Sequence, residues 1–189
     1  MRREAWPGSR EDVERRAEQV LAAVPTYVWD GETLPVPVQD VADSCFGLLV
    51  RDVADLSQAP GAPQLGGARA LSGLLIPAAG EIWIDASEAG EWPTRRRFTI
   101  GHELGHWCLH RSVGDGTTYC RSATVVEDAP ATGLPAAEHE ANLFAAALLM
   151  PARLVRRQNE RGRDFAELCA TFEVSGAALE RRLAAVIGA

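Results

Sequence analysis

Two histidines one helical turn apart, His102 and His106, enclose Glu103 in the sequence HELGH. On an α-helix, residues i and i+4 lie on the same face, so both imidazoles can reach one metal ion at about 2.0–2.1 Å. Glu103 then lies beside the ion, where its carboxylate can accept a proton from a bound water. All four histidines of the chain lie between residues 102 and 139, which favours metal binding over histidines that merely pack on an amphipathic helix. The spacing predicts a helix, a metal site on one face of it and a catalytic role for Glu103.

A catalytic zinc site keeps three protein ligands and leaves its fourth position to water. The continuation typical of metzincins is absent, because residues 109 and 112 are leucine and serine rather than glycine and histidine. His110 lies two turns from His102, about 12 Å along the same helix, which is too far for all three histidines to meet one ion. The candidates for the third ligand in the following sequence are His110, Glu127, Asp128, Glu138, His139 and Glu140.

A second predicted helix favours Glu138 among these candidates. Glu138 and Asn142 are one turn apart on one face, so an amide could support a ligating carboxylate. Glu140 instead shares a face with Phe144, which we expect to point into the core. This favours Glu138 over Glu140, and the alternative for both is an ordinary acidic first helical turn. Tyr119, Arg121 and His139 are further polar candidates for a place near the site.

Apolar periodicity, caps and proline positions outline an α+β chain. Ser9 and Asp12 resemble a capping box in front of a helix that ends before Pro25. The predicted strands are Phe46–Val50, Leu71–Ile76 and Glu81–Asp85, with a loop over Gln58–Gly67. Further predicted helices are Val38–Cys45, Pro93–His110, Ala136–Met150, Pro151–Gln158 and two in the tail joined at Val174–Ser175. Residues 112–134 are predicted to form a long loop, and the small sheet is expected to pack against the two helices that carry ligands.

Composition and charge exclude several classes of protein. The net charge is −7 and all 19 basic residues are arginine, so neither Schiff-base chemistry nor a phosphate-binding P-loop lysine is possible. An acidic chain also argues against a large non-specific surface for DNA. The longest apolar run, Leu143–Met150, is far shorter than the about 20 residues that cross a bilayer, and the N-terminal residues are too charged for a secretory signal. We expect a cytoplasmic protein without a membrane span, whose four cysteines are buried thiols.

Two segments of the sequence resemble the ImmA/IrrE family of zinc-dependent endopeptidases. Arg97–His110, which reads RFTIGHELGHWCLH, and Glu138–Pro151, which reads EHEANLFAAALLMP, are similar to the two signature helices of that family. Leu34-Pro35-Val36 and Leu71-Ser72-Gly73 also look like its N-terminal part. The resemblance covers about residues 30–155, and the paired signature is much more specific than HExxH alone.

The resemblance implies a zincin-like architecture and an endopeptidase mechanism. It implies that Zn²⁺ is bound by His102, His106 and Glu138, the last by its distance from the Met-Pro end of the second helix. Zinc would then polarise the scissile carbonyl while Glu103 accepts a proton from water and passes it to the leaving amine. The implied substrate is a helix-turn-helix transcriptional repressor, whose cleavage would release silenced genes.

The C-terminal tail supports a competing hypothesis. We expect a metallopeptidase domain over residues 1–158 and a helical tail over 159–189, and the tail resembles a minimal helix-turn-helix with Ser175 as a helix cap. Its arginines, Arg163, Arg181 and Arg182, are outnumbered by acidic residues, which favours a hairpin packed on the peptidase core over a DNA-binding unit. The alternative function is a DNA- or protein-binding regulator with a structural or vestigial zinc site.

Overall fold

The computed structural model describes residues 8–59, 71–110, 118–121 and 136–188. The described helices are α1 (Arg10–Ala22), α2 (Val38–Phe46), α3 (Ala86–Glu91), α4 (Pro93–His110), α5 (Ala136–Leu149), α6 (Ala152–Glu160), α7 (Phe165–Phe172) and α8 (Gly176–Val186). The described strands are β1 (Leu49–Val53), β2 (Leu71–Ile76), β3 (Glu81–Asp85) and β4 (Thr118–Arg121). The α+β class predicted from the sequence is confirmed.

Helix α1 begins at the cap that the sequence predicts. The Ser9 hydroxyl accepts a hydrogen bond from the Asp12 backbone N–H at 3.3 Å, and the Asp12 carboxylate accepts one from the Ser9 N–H at 2.9 Å. These two bonds satisfy amide groups that a helix start leaves without partners. The apolar face of α1, with Val13 and Ala17 fully buried, packs against α5. The N-terminal helix therefore covers the outer side of one of the two signature helices.

The four described strands form one mixed sheet in the order β1–β3–β2–β4. Strands β2 and β3 are an antiparallel hairpin, β1 lies parallel to β3, and β4 lies antiparallel to β2. Side chains alternate between the two faces of the sheet. Leu75, Ile82 and Ile84 belong to the main core, which α4 and α5 share, whereas Leu74 and Ile76 join a smaller cluster on the other face. This packing fixes α4 against the sheet.

The structure differs from the prediction at one strand and in one loop. The strand predicted at Phe46–Val50 is wrong at its start, because α2 continues to Phe46 and ends at Gly47, whose φ of 63° is left-handed. The strand begins only at Leu49. An apolar run does not distinguish the last turn of a buried helix from a strand, and only the glycine marks the change. The predicted loop over 112–134 contains β4, and its remaining residues lie outside the described part of the chain.

The tail forms two short helices that pack into the main core. Asp164 and Glu167 form a second capping box at the start of α7, and the Ser175 hydroxyl accepts a hydrogen bond from the Ala178 N–H at 3.2 Å at the start of α8. Phe172 and Leu179 are fully buried in the main core cluster. Among the described helices, none is long and apolar enough to cross a membrane.

Candidate metal centre

Small residues bring the two signature helices into close contact. A Cβ atom added at Gly105 of α4 would lie 2.9 Å from the Ala141 Cα and 3.0 Å from the Ala141 carbonyl oxygen of α5. One turn earlier, a Cβ at Gly101 would lie 3.3 Å from the Ala145 Cβ. Larger side chains at these positions would separate the helices. The glycines and alanines therefore let side chains of α4 and α5 converge on one point.

The side chains that converge there are His102, His106 and Glu138. The Nε2 atoms of the two histidines are 2.9 Å apart. The Glu138 carboxylate oxygens lie 3.3 Å from the His102 Nε2 and 3.4 Å from the His106 Nε2. Both histidine side chains are 1% exposed and that of Glu138 is 19% exposed. One ligand atom from each residue thus lies within 4.8 Å of the others, a grouping that could hold a metal ion.

The geometry of these donors fits a tetrahedral cation. Ligands bonded at about 2.0–2.1 Å around a tetrahedral ion are ~3.3 Å from one another, close to the observed separations. The His102 Nδ1 lies 2.8 Å from the Asn142 Oδ1, which can only accept, so the neutral ring carries its proton on Nδ1 and directs an Nε2 lone pair into the cluster. No hydrogen bond reaches the buried Glu138 Oε2 from any residue that the structure describes. An imidazole lone pair and a carboxylate that face one another at 3.3 Å suit a bound cation.

Burial and charge hold the cluster in the protonation state that a metal requires. Burial lowers the pKa of His106 to about 4, although the neighbouring Glu138 opposes this shift. Burial raises the pKa of Glu138, but its contacts with His102 and His106 outweigh that effect and hold the pKa well below its usual range. At neutral pH the imidazole is therefore uncharged and the carboxylate ionised. These are the forms in which histidine and glutamate ligate metals.

Glu103 lies on α4 between the two histidines and is completely buried. Burying a carboxyl group is costly unless the site uses it or neutralises it. A cation held by the neighbouring cluster would supply the opposite charge. The position of Glu103 therefore suits a group that exchanges a proton beside a metal.

The other candidate ligands have different surroundings. The Glu140 carboxylate pairs with the His110 Nε2 at 2.8 Å, and it is not part of the three-residue cluster. Asn142 was expected to support the Glu138 carboxylate, and this expectation is wrong because its amide oxygen contacts His102. His139 is half-buried and also lies outside the cluster. Glu127 and Asp128 lie outside the described residues, as do the side chains of Tyr119 and Arg121.

Sequence reasoning missed a contact between His106 and His110. Their Nδ1 atoms are 3.1 Å apart. The other ring nitrogen of His110, Nε2, contacts the Glu140 carboxylate on α5. The signal was present in the sequence, because His102, His106 and His110 follow one another at intervals of four residues. The distance between His110 and His102 along the helix excludes His110 as a ligand of the same ion. The prediction did not include a hydrogen bond between His110 and the predicted ligand His106.

Comparison with known proteins agrees with the two-helix signature. The family model described as the IrrE N-terminal-like domain of the M78 peptidases matches residues 75–184, more than half of the 189-residue chain. The matched segment contains α4, α5 and all three residues of the cluster. No curated protein matches the chain. The match spans the end of β2, all of β3, both signature helices and most of the tail. The chain belongs to the M78 peptidase family.

Proposed function

We propose that the protein is a zinc-dependent endopeptidase with a zincin-like site. His102, His106 and Glu138 are the proposed ligands, and Glu103 is the proposed general base. The observation that carries this proposal is the convergence of two imidazole Nε2 atoms and one carboxylate at 2.9–3.4 Å. Two imidazole nitrogens and one carboxylate group at these separations match the His₂Glu ligand set of zinc peptidases, which leaves one position for water or substrate.

In this mechanism the protein positions the reactants and moves one proton. A bound zinc ion would supply Lewis acidity and lower the pKa of a water toward ~7. Glu103, buried beside the ligands, accepts the proton of the attacking water and delivers it to the nitrogen of the leaving amine. The buried surroundings of the cluster limit competing water and strengthen each electrostatic contact.

The proposed substrate is a helix-turn-helix transcriptional repressor in the cytoplasm. Support for it comes from the family of the chain and from the resemblance of Arg97–His110 and Glu138–Pro151 to ImmA/IrrE peptidases. Cleavage at one or a few sites would inactivate the repressor and release its genes. Residues 1–158 would form the metallopeptidase unit and 159–189 a helical tail, both contributing to one hydrophobic core.

Separate variants test the roles of the ligands and the base. We expect purified protein to bind about one zinc ion, His102→Ala and Glu138→Ala to lose it, and Glu103→Gln to keep it while losing peptidase activity. The reason is that Glu103 moves a proton and does not coordinate. Metal content by mass spectrometry, measured beside activity, checks this. Loss of zinc from Glu103→Gln, or full zinc in Glu138→Ala with loss from Glu140→Ala, would contradict the assignment.

The substrate is tested by incubating zinc-loaded protein with candidate repressors, beginning with any encoded next to its gene. We expect wild-type protein to cut one of them at a few sites and Glu103→Gln to cut none, with products identified by mass spectrometry. If unrelated unfolded proteins are cut as readily as the repressors, the regulatory role is refuted, but the peptidase activity is not. No cutting despite full zinc would favour the regulator with a structural site, whose DNA binding would show a steep salt dependence.

A further inference from the structure

A polar pair, His110 and Glu140, contacts the outer side of the metal cluster. His110 lies one turn after His106 on α4, and Glu140 lies on α5. Both side chains are 12% exposed, and the His110 Nε2 is 2.8 Å from a Glu140 carboxylate oxygen. On the other side of the His110 ring, Nδ1 is 3.1 Å from the His106 Nδ1. One ring nitrogen of His106 faces away from the cluster. His110 connects that nitrogen to the Glu140 carboxylate.

With Glu140 as a carboxylate and His110 as a neutral imidazole, the hydrogen-bond distances assign each proton to one ring nitrogen. An ionised carboxylate can only accept hydrogen bonds, so the His110 proton is on Nε2. A neutral imidazole with a proton on Nε2 has an accepting lone pair on Nδ1. The facing nitrogen, His106 Nδ1, must then donate and carries its own proton. This leaves the His106 Nε2 with a lone pair, directed toward the His102 Nε2 and Glu138.

Without this pair, a different tautomer of His106 would compete. A proton on the His106 Nε2 would point at the Glu138 Oε1, 3.4 Å away, and would form a hydrogen bond to a carboxylate. That proton would occupy the position of a metal and block both ligands at once. His102 has the same protection from the Asn142 amide oxygen at 2.8 Å.

We propose that His110 and Glu140 are positioning residues that fix the proton of His106 on Nδ1 and so keep its Nε2 open for a metal. The inference rests on the proposed metal site but not on peptidase activity. Partners that orient a ligating histidine typically contribute 10–100-fold to metal affinity. We expect an effect of that size from removing His110 or the carboxylate of Glu140.

The direct test measures the tautomer in metal-free, ¹⁵N-labelled protein by two-bond ¹H–¹⁵N correlation. With only four histidines in the chain, the signals can be assigned one substitution at a time. We expect wild-type His106 to carry its proton on Nδ1, and His110→Phe to shift it to Nε2. Zinc affinity, measured by competition with a chelator, should fall about 10–100-fold in His110→Phe and in Glu140→Leu. Glu140→Gln, whose amide oxygen still accepts from His110, should retain the wild-type tautomer and lose less than tenfold.

The matched control is Glu160→Gln, an exposed residue at the end of α6, which should leave both readouts unchanged. Circular dichroism establishes that each variant is folded, and if His110→Phe is not, the two Glu140 variants decide the question. A proton on Nε2 of wild-type His106, or equal affinities for Glu140→Leu and wild type, would overturn the proposal. If wild type binds no zinc, the proposed function fails, whereas the tautomer measurement still decides whether the pair acts on His106.

Discussion

Each histidine of the cluster has one ring nitrogen occupied by a protein partner and one available for a metal. The Asn142 oxygen occupies the Nδ1 of His102, and His110 occupies the Nδ1 of His106. Burial lowers the pKa of His106 to about 4, so its ring is neutral at physiological pH. The site is therefore organised before an ion binds, and its organisation makes the metal-free protein sensitive to acid.

We predict that metal-free protein loses stability as pH falls from about 6.5 to about 4. The pKa of His106 is lowered from 6.5 to about 4 by burial, so in this window the unfolded chain binds a proton there and the folded chain does not. Stability therefore rises with pH, by at most about 1.4 kcal/mol per pH unit for this group. Glu138, whose pKa is also lowered, acts in the same direction at lower pH. Thermal unfolding of chelator-treated protein at several pH values measures this dependence, and an equally steep dependence in His106→Gln would contradict it.

The ligands were predictable at the residue scale, but their partners were not. The four-residue interval places His102 and His106 on one helix face without any knowledge of the fold. Glu138 was favoured because Asn142 lies one turn from it, whereas Asn142 contacts His102 on the other helix. Contacts between helices depend on how each helix is rotated about its axis. The sequence of one helix does not determine how that helix is rotated against its neighbour.

At the scale of secondary structure, the short distance between α4 and α5 depends on small residues at their contact. Gly101 and Gly105 face Ala145 and Ala141, and the ligands project from the same two helices. Interiors pack at crystal-like density, so one added methyl group at such a contact requires a backbone shift. Moving α5 away would also move Glu138 away from the histidines. Helix spacing and metal geometry are thus linked.

We predict that Gly105→Ala destabilises the protein by about 1–3 kcal/mol, because its Cβ would lie 2.9 Å from the Ala141 Cα. The higher helix propensity of alanine offsets at most about 1 kcal/mol of this cost. Gly90→Ala in α3 is the matched control, since its Cβ would meet nothing within 4 Å. Urea unfolding compares the two, and chelator competition should show weaker zinc binding in Gly105→Ala alone. Equal stability of both variants would show that the helices tolerate a wider spacing.

Strands β2 and β3 have their predicted bounds, whereas α3 and β4 were not predicted. The helix of the HELGH motif extends over the predicted residues, Pro93–His110, because proline marks its start and its apolar positions recur with helical period. Strand β4 was missed, since Thr118–Arg121 is short and mostly polar and is a strand only by pairing with β2. The pairing partner, and not the local sequence, defines that element.

At the scale of the whole molecule, a buried arginine joins the two ends of the chain. The Arg182 Nε donates to the Met150 carbonyl oxygen at 2.8 Å, and its guanidinium also pairs with Glu14 of α1, with one contact at 3.0 Å. Arg182 is 3% exposed. It had been counted among the few basic residues that the tail could offer to DNA. Its burial further reduces that basic surface and favours a structural role for the tail.

We predict that Arg182→Met destabilises the protein by about 2–3 kcal/mol, because it leaves the Met150 carbonyl and the Glu14 carboxylate without their partner. For a chain of this length, the melting temperature should fall by roughly 5–10 °C. Arg181→Met is the control, since Arg181 is the exposed neighbour on the same helix. Calorimetry of both variants checks the difference, and a loss of similar size in the control would argue against the buried contact as its cause.

The main core includes residues that lie outside the segment matched by the family model. The folded unit is therefore larger than that segment. Residue 75, where the match begins, lies inside β2, and the matched segment excludes α1, α2 and β1. Yet Val13 and Ala17 of α1 share one core with Phe144 of α5 and Leu179 of α8. A fragment expressed from residue 75 would begin within a strand and expose the apolar side of α5 to solvent. Such a fragment would retain all three proposed metal ligands and still aggregate.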